Sequence, residues 1–581
     1  MPEESVLRRL KERKLVQWAL AYLAAAFVVF QSIEVMAEPW GIAPGLQRAV
    51  HVLLLVGLFV VLILAWYHGE KGQQRLSGAE LLMITALLAI AAILLTVVRP
   101  GEQAVTTSET ESVIDDAKPA IAVLPFDNFS PNPDDAYFAD GMHEEIIRKL
   151  SDISGVRVIS RTSVMRYREQ RPSAGQIAGE LGVGFLLEGS ARKAEDQVRL
   201  TVQLIDASAD DHVWAEDYDR DLTAAHLFEI QSDVAERVAA ALEIELAASE
   251  IERIERHPTE SLTAYDLYLL GRYRWNQLDM EGLTRAIEHF EAAIELDADF
   301  ALAHAGLADV HMILTQGWGL APRDAFPRAR EAAERALALD PMLAEAHTSL
   351  GGVQLFYDWD FEAAEATFRR AIELKPNYAL APHWLSLSLM GRARFAEALE
   401  AARRAIALDP QSPYIQMNLG YILYVARQYD RAVEVYSDAL EAGPHSLIRA
   451  LRGGVYVQLG MLDEGISDLE LAARMSERRN LIPATYLGFA YARAGRRSDA
   501  ERVIRELQES AAERFVNPDY IAIVYVGLGE NDEAMAWLYQ ATEARTDWPL
   551  FFPVDPVLDS IQSDPRYQDL LRTIGLSELI E

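Results

Sequence analysis

The chain has 581 residues, too many for one hydrophobic core, so three or more domains are expected. Its 88 acidic and 54 basic residues leave a formal charge of -34, which argues against binding nucleic acid through phosphates and favours basic or neutral partners. There is no cysteine, which excludes disulfides, thiolate zinc sites and cysteine nucleophiles.

Residues 1–14 are basic, with Arg8, Arg9, Lys11, Arg13 and Lys14. Three apolar stretches without formal charge follow within residues 15–98: Leu15–Ile33, Ala49–Tyr67 and Leu81–Val98. At about 1.5 Å per residue each nearly crosses a hydrocarbon core of about 30 Å, so three transmembrane α-helices are expected. Lys71 and Arg75 lie between the second and third stretch, and Arg48 is the basic residue between the first and second. The excess of basic residues predicts a multi-pass inner-membrane protein with a cytoplasmic N-terminus and periplasmic C-terminal domains. Trp40, Trp66 and Tyr67 fall near span ends, where amphipathic rings favour the interface. A signal peptide ending at Val35-Met36-Ala37 is the competing reading of the first stretch; its long basic region and extended apolar core disfavour it. Glu34 and His51 lie close enough to the interface to snorkel.

Residues 99–118 are polar and acidic, with too little apolar content for a core, and read as a tether. Residues 119–250 read as an α/β domain with a mixed sheet. Ala120–Leu124 is a buried strand, Met142–Leu150 a helix, Val156–Ile159 a strand, Ile177–Leu181 a helix and Phe185–Glu188 a strand. Val198, Leu200, Val202 and Leu204 alternate with polar residues as a half-buried strand does. Val213, Ala215 and Tyr218 continue on a returning strand, and Leu227, Ile230, Val234, Val238 and Leu242 follow at helical spacing.

From residue 259 to 548 an alanine returns on a regular beat. Ala364, Ala398, Ala432, Ala500 and Ala534 share a 34-residue grid with Ile466, and Ala329 and Ala286 extend it at spacings of 35 and 43. Leu339-Asp340-Pro341, Leu374-Lys375-Pro376, Leu408-Asp409-Pro410 and Ala442-Gly443-Pro444 close successive units. A 34-residue helix-turn-helix unit is the tetratricopeptide repeat, whose solenoid presents a concave groove. About eight units are expected in this all-α solenoid, with Gly352 as the small contact of one first helix and Phe368 filling the core. Tyr421, Tyr424, Tyr456 and Tyr491 fall on first helices and are the candidate partner-binding residues. Residues 549–581 read as a C-terminal capping region with a helix over Tyr567–Ile574.

Motifs for chemistry are sparse. His143-Glu144-Glu145 lacks the second histidine of a zinc-protease helix. Gly182-x-Gly184 leads into a strand and reads as a turn, and Asp134, Asp135 and Asp140 lack calcium-loop spacing. No catalytic residue, cofactor or metal is assigned, and the chain is expected not to be an enzyme.

Ala120–Phe126, Tyr137–Gly141, Ser160–Ser163, Leu187–Ser190, Leu204–Asp206 and Trp214–Arg220 stand in the order seen in TolB-like domains. With the repeats behind it, the chain resembles the bacterial family in which a membrane-anchored TolB-like domain precedes tetratricopeptide repeats. In fused relatives a kinase, nucleotide cyclase or winged-helix effector often precedes the membrane segment, and Leu64–Gly72 resembles that membrane module. Here 14 residues precede the first span, so no such effector activity is expected. The repeat grid with no catalytic motif beside it points to a non-enzymatic, membrane-anchored periplasmic scaffold or sensor that holds a protein or peptide in its groove, with self-association left open. The alternative is a regulatory subunit of a transmembrane signalling system acting with a separate kinase or cyclase.

Overall fold

The computed structural model divides the chain into two units, Met1–Thr110 and Glu111–Glu581. It describes residues 118–576 apart from 171, 316–319 and 477–479, all within the second unit.

Three transmembrane helices are not supported. Among the described residues no helix is long and apolar enough to cross a membrane. The longest, Ala224–Ala241 and Pro322–Leu339, have 18 residues each and carry a charged outer face. Leu15–Ile33, Ala49–Tyr67 and Leu81–Val98 lie outside the described residues, as does nearly all of the tether. The multi-pass inner-membrane placement and the periplasmic side derived from those spans fall with them.

The α/β domain is built on one mixed sheet in the order β3-β1-β4-β5-β6, with β2 also pairing β4. Its strands are β1 Ala120–Val123, β2 Asp127–Asn128, β3 Arg157–Val158, β4 Phe185–Ala194, β5 Gln197–Asp206 and β6 Asp211–Asp221. β1 is wholly buried because parallel neighbours flank it and helices cover the sheet. On β5, Val198, Leu200, Val202 and Leu204 are fully buried, as the alternation requires. β6 departs from its sequence reading. Trp214, Glu216 and Tyr218 pair with Leu204, Val202 and Leu200 and share their inner face, so Ala215, opposite Gln203, faces solvent, and the register shift at Leu204/Ile205 leaves Val213 as the exposed extra residue. Tyr218 is its one buried residue, and the charged outer positions protect this edge from pairing with another chain.

The domain's helices are α1 Ala136–Ser151, α2 Arg161–Val164, α3 Ala174–Leu181, α4 Ala224–Ala241 and α5 Ala248–Glu255. Phe138, Met142, Ile146 and Leu150 put an apolar stripe of α1 into the core. α3 starts at a Ser173/Gln176 capping box and stops at Gly182, whose φ of +63° suits a residue without Cβ. The Gly182-x-Gly184 pattern is therefore a helix stop.

Eight helix pairs follow among the described residues. They are α6 Leu262–Trp275 with α7 Met280–Leu296, α8 Ala301–Ile313 with α9 Pro322–Leu339, and α10 Ala344–Val353 with α11 Phe361–Leu374. Next come α12 Leu380–Gly391 with α13 Phe395–Leu408, α14 Pro413–Val425 with α15 Tyr429–Ala442, and α16 Ser446–Gln458 with α17 Leu462–Met475. The last are α18 Ile482–Arg493 with α19 Arg497–Ala511, and α20 Pro518–Leu528 with α21 Asn531–Ala544. The grid alanines sit on the second helices and are fully buried, because a larger side chain there would force the paired helices apart.

One turn of the grid's offspring is an aromatic ring laid on a first-helix glycine. A Cβ on Gly351 would stand 2.7 Å from the Phe368 ring, and one on Gly420 would stand 2.3 Å from Tyr436. Gly351, rather than Gly352, is thus the contact for Phe368; Gly352 faces Met312 of the preceding unit.

The solenoid returns to the α/β domain through its closing turns. Asn377, just after the Leu374-Lys375-Pro376 terminator, donates to the carbonyls of Ile153 and Val156 at 3.0 and 2.9 Å and accepts from the Val158 N–H. At the next terminator, Ser163 donates to Asp409 at 2.5 Å and the Ser160 N–H donates to the Leu408 carbonyl at 2.8 Å. Replacing Asn377 with Ala strands buried backbone groups at the β3 edge. The expected loss is about 2–3 kcal/mol in urea unfolding of the full chain; an unchanged midpoint would show that these groups find other partners.

Candidate functional site

A cavity of about 1350 Å³ runs along the inside of the solenoid. The first helix of every one of the eight pairs contributes to its wall, from Tyr268 and Arg272 on α6 to Tyr520 and Ile523 on α20. The second helices contribute only Met280. The groove therefore inherits the sequence beat. His383, Met417, Leu451, Thr485 and Asp519 all line it, each 34 residues from the next and each 15 residues before a grid position from Ala398 to Ala534.

Two other parts of the chain close this groove. On one side stands α1, with Glu144, Glu145 and Arg148, followed by Ser160 and Arg161. On the other stands the C-terminal segment, with Asp547, Trp548 and Phe551. That segment forms two 3₁₀ turns, Trp548–Phe551 and Pro556–Ile561, and then α22 Pro565–Thr573. Leu550, Phe552 and Leu558 are fully buried, so the segment is part of the solenoid core. It covers α12 and α14 as well as ending the stack, a wider role than a terminal cap.

The end beside α1 is charged and paired. Arg272 on α6 donates to Glu144 from Nε at 2.7 Å, and its Nη1 lies 3.6 Å from Asp309 on α8. Asn276 donates to Glu144 at 2.8 Å. Burial alone would raise the Glu144 carboxyl, but the charges of Arg272 and Arg161 and the hydrogen bonds outweigh it and hold the pKa at about 2. Asp309, served less closely by the same arginine, is pushed up to about 6 by burial. Lys375 bonds Glu345 at 2.7 Å, and Arg148 bonds Glu145 at 2.9 Å. Of these pairs, Arg272–Glu144 ties α1 to the first repeat and Arg272–Asp309 joins the first repeat to the second, while Lys375 also lies 3.9 Å from Asp152 just past α1. His143 points away into the sheet: its Nε2–H donates to the Val123 carbonyl at 2.9 Å, and burial lowers its pKa to about 3.

The far end is aromatic. Tyr421, Tyr486, Tyr520, Trp548 and Phe551 face the cavity there. Asp519 and Asp547 join them, and no ion pair reaches either carboxylate among the described residues.

Of the four tyrosines singled out on first helices, Tyr421 lines the cavity. Its hydroxyl donates to Asp555 of the C-terminal segment at 2.8 Å, and its ring meets Phe551 edge-on. Tyr424 is buried behind it and reaches the same carboxylate at 3.4 Å. Tyr491 donates to Glu470 at 3.0 Å under the Arg496 guanidinium, and Tyr456 lies beneath Arg452. None of these last three is among the lining residues. His383, Trp384, Asn418, Tyr486 and Tyr520 do line the groove and were not singled out from sequence. Carrying the 34-residue beat back by 14 and 15 positions would have found their rows.

Residues 385–446 and 423–478 match a tetratricopeptide repeat family, and residues 360–378 match another of the same description. The helix pairs are tetratricopeptide repeats. Residues 117–237 match the family described as HilA/YgeH-like transcriptional regulator, second domain, which spans the sheet and most of α4. A 192-residue stretch is 41% identical to the "Putative adenylate cyclase 3" of Rhizobium meliloti (strain 1021), covering 33% of this chain and 32% of that protein. The chain thus spans about a third of the length of the curated relative it matches. Among solved structures, a thermophilic tetratricopeptide repeat protein of Thermus thermophilus is 19% identical with a TM-score of 0.29, covering 33% of this chain and 99% of that one. Pseudomonas aeruginosa PilF is 22% identical with a TM-score of 0.29, covering 37% and 93%.

Proposed function

We propose that this protein is a non-enzymatic scaffold or sensor that holds an extended segment of a protein partner inside the repeat groove. The observation that carries this reading is the composition of the wall: one helix from each repeat, on the 34-residue beat, around a cavity of about 1350 Å³. A groove of that build offers a row of side-chain positions matched to an extended chain. The α/β domain, TolB-like by its motif series, closes one side and links occupancy of the groove to its own position.

A second reading has its own support. The matches to a domain of a transcriptional regulator and to a protein named as an adenylate cyclase favour a regulatory module that works with a separate output protein. Both readings need the groove to be occupied. Random decapeptides selected on the full chain are expected to bind wild type and to lose about tenfold or more in affinity when Leu387 or Leu451, both on the wall, becomes Arg. The exposed Leu471→Arg, off the wall, is the control and is expected to bind normally. Selection of no peptide, or equal losses in all three variants, would contradict the reading.

A further inference from the structure

The two ends of the groove differ in what they leave unsatisfied. Beside α1 each wall carboxylate has a cation or hydrogen-bond donor: Glu144 has Arg272, Glu145 has Arg148, Glu345 has Lys375, and Asp309 has Arg272 and Ser349. At the far end the situation reverses. Asp519 is 0% exposed, and among the described residues neither of its carboxylate oxygens has a cation or a well-formed hydrogen bond; the Thr546 hydroxyl and its own N–H only partly offset its burial. Asn418 is 4% exposed, and its Oδ1 is likewise without a donor. Asp547 has only the Asn517 amide, at 3.2 Å, as a side-chain donor. Burial raises Asp519 well above the usual carboxylate range, and the charge of Asp547 raises it further. Burial raises Asp547 as well. Arg514 stands on the same wall, and its charge acts on the Tyr520 hydroxyl.

Asn418 Oδ1 and the ionised form of Asp519 can only accept. A buried acceptor without a donor costs free energy that a bound donor would recover. Tyr486, Tyr520 and Trp548 line the same end, and aromatic rings of this kind attract a cation. The formal charge of -34 would draw a basic segment toward the chain.

We propose that the Asp519/Asp547 end of the groove is a pocket for a lysine or arginine side chain of the bound partner. This deepens the scaffold reading and rests on it. Asp547, partly exposed on the wall, meets the cationic head; Asp519 stands behind, protonated in the empty groove, and gives up its proton as the cation enters; Asn418 takes an N–H from the entering segment; and Trp548 and Tyr520 cover the aliphatic stem.

The test uses the full chain and a library of random linear decapeptides. Selected peptides should share a Lys or Arg, and changing that residue to Met should weaken binding to wild type about tenfold or more. The same peptide change should have little further effect on Asp547→Asn, because the two alterations remove one interaction. Asp519→Asn should behave likewise; if it does not fold, the Asp547→Asn cycle carries the test, with its melting curve as the check on folding. Failure to select any peptide overturns the scaffold reading itself. Peptides that bind the wall without a basic residue, or whose Lys→Met change is harmless, overturn this pocket alone. Displacement by spermidine as effective as by the peptide would also overturn it, since the site would then take a free small cation.

Discussion

Arg272→Leu is expected to destabilise the full chain by about 3–5 kcal/mol at neutral pH, the usual cost of removing one partner of a buried ion pair. Arg272 is the shared cation of Glu144 on the α/β domain and Asp309 on the second repeat. Its side chain and that of Glu144 are 20% and 16% exposed, so water can do little to replace the lost partner. Its guanidinium also lies 4.7 Å above the Trp275 ring, a contact that leucine would not restore. The sign of the pH dependence follows from Glu144. Its folded pKa is depressed to about 2, so its contribution is complete above the ordinary glutamate value of about 4.3. That contribution disappears as pH falls through about 2. Wild type and variant should therefore differ most near neutral pH and converge in strong acid. Urea unfolding followed across pH is the measurement, and a difference independent of pH would show that packing, not charge, accounts for the loss.

Phe290→Ala is expected to cost about 3–5 kcal/mol, the range for removing a buried aromatic side chain. Phe290 is 0% exposed. A Cβ on Gly271 would stand 2.6 Å from its ring, and one on Gly306 2.7 Å, so the ring fills the space between two successive first helices. Tyr268, with its ring centroid 6.0 Å away, is the groove residue that rests on it. Gly271 and Gly306 have no side chains to fill the cavity left behind, so its closing would depend on Tyr268 or on movement of the helices. Thermal unfolding should show an early transition in the first repeats, and hydrogen exchange should locate it there. A loss below about 1 kcal/mol would mean that the helices close over the gap.

Periodicity made the repeats legible. The buried alanines are where their beat placed them, because that beat records a contact made again in every unit. The strand Val198–Leu204 was equally plain, since one face is buried and the other is not. β6 was less so: Ala215, three residues from Tyr218, falls on the opposite, outer face by alternation, and the register shift at Leu204/Ile205 leaves Val213 unpaired. Gly351 and Gly352 are adjacent, and only the crossing of α10 with α11 and α8 decides which one meets Phe368. The closure of the groove left no mark in any local pattern. Tyr421 and Asp555 are 134 residues apart, and Asn377 and Ile153 are 224 apart. They meet because the solenoid curves back on itself, which is a sum of small rotations over many units. Tyr424, Tyr456 and Tyr491 share the first helices with the wall, yet the angular position of each around its helix turns it to a neighbouring charge. The apolar stretches at residues 15–98 give a hydropathy signal to which the described fold adds no membrane-crossing helix.

Hydrogen exchange of the full chain with and without a selected peptide tests the central claim most directly. Peptide binding should slow exchange on the first helices, above all around Leu387, Met417, Leu451 and Tyr520, and leave the outer surfaces of α15 and α17 unchanged. Protection confined to the second helices or to the β6 edge, with the first helices unaffected, would contradict the account.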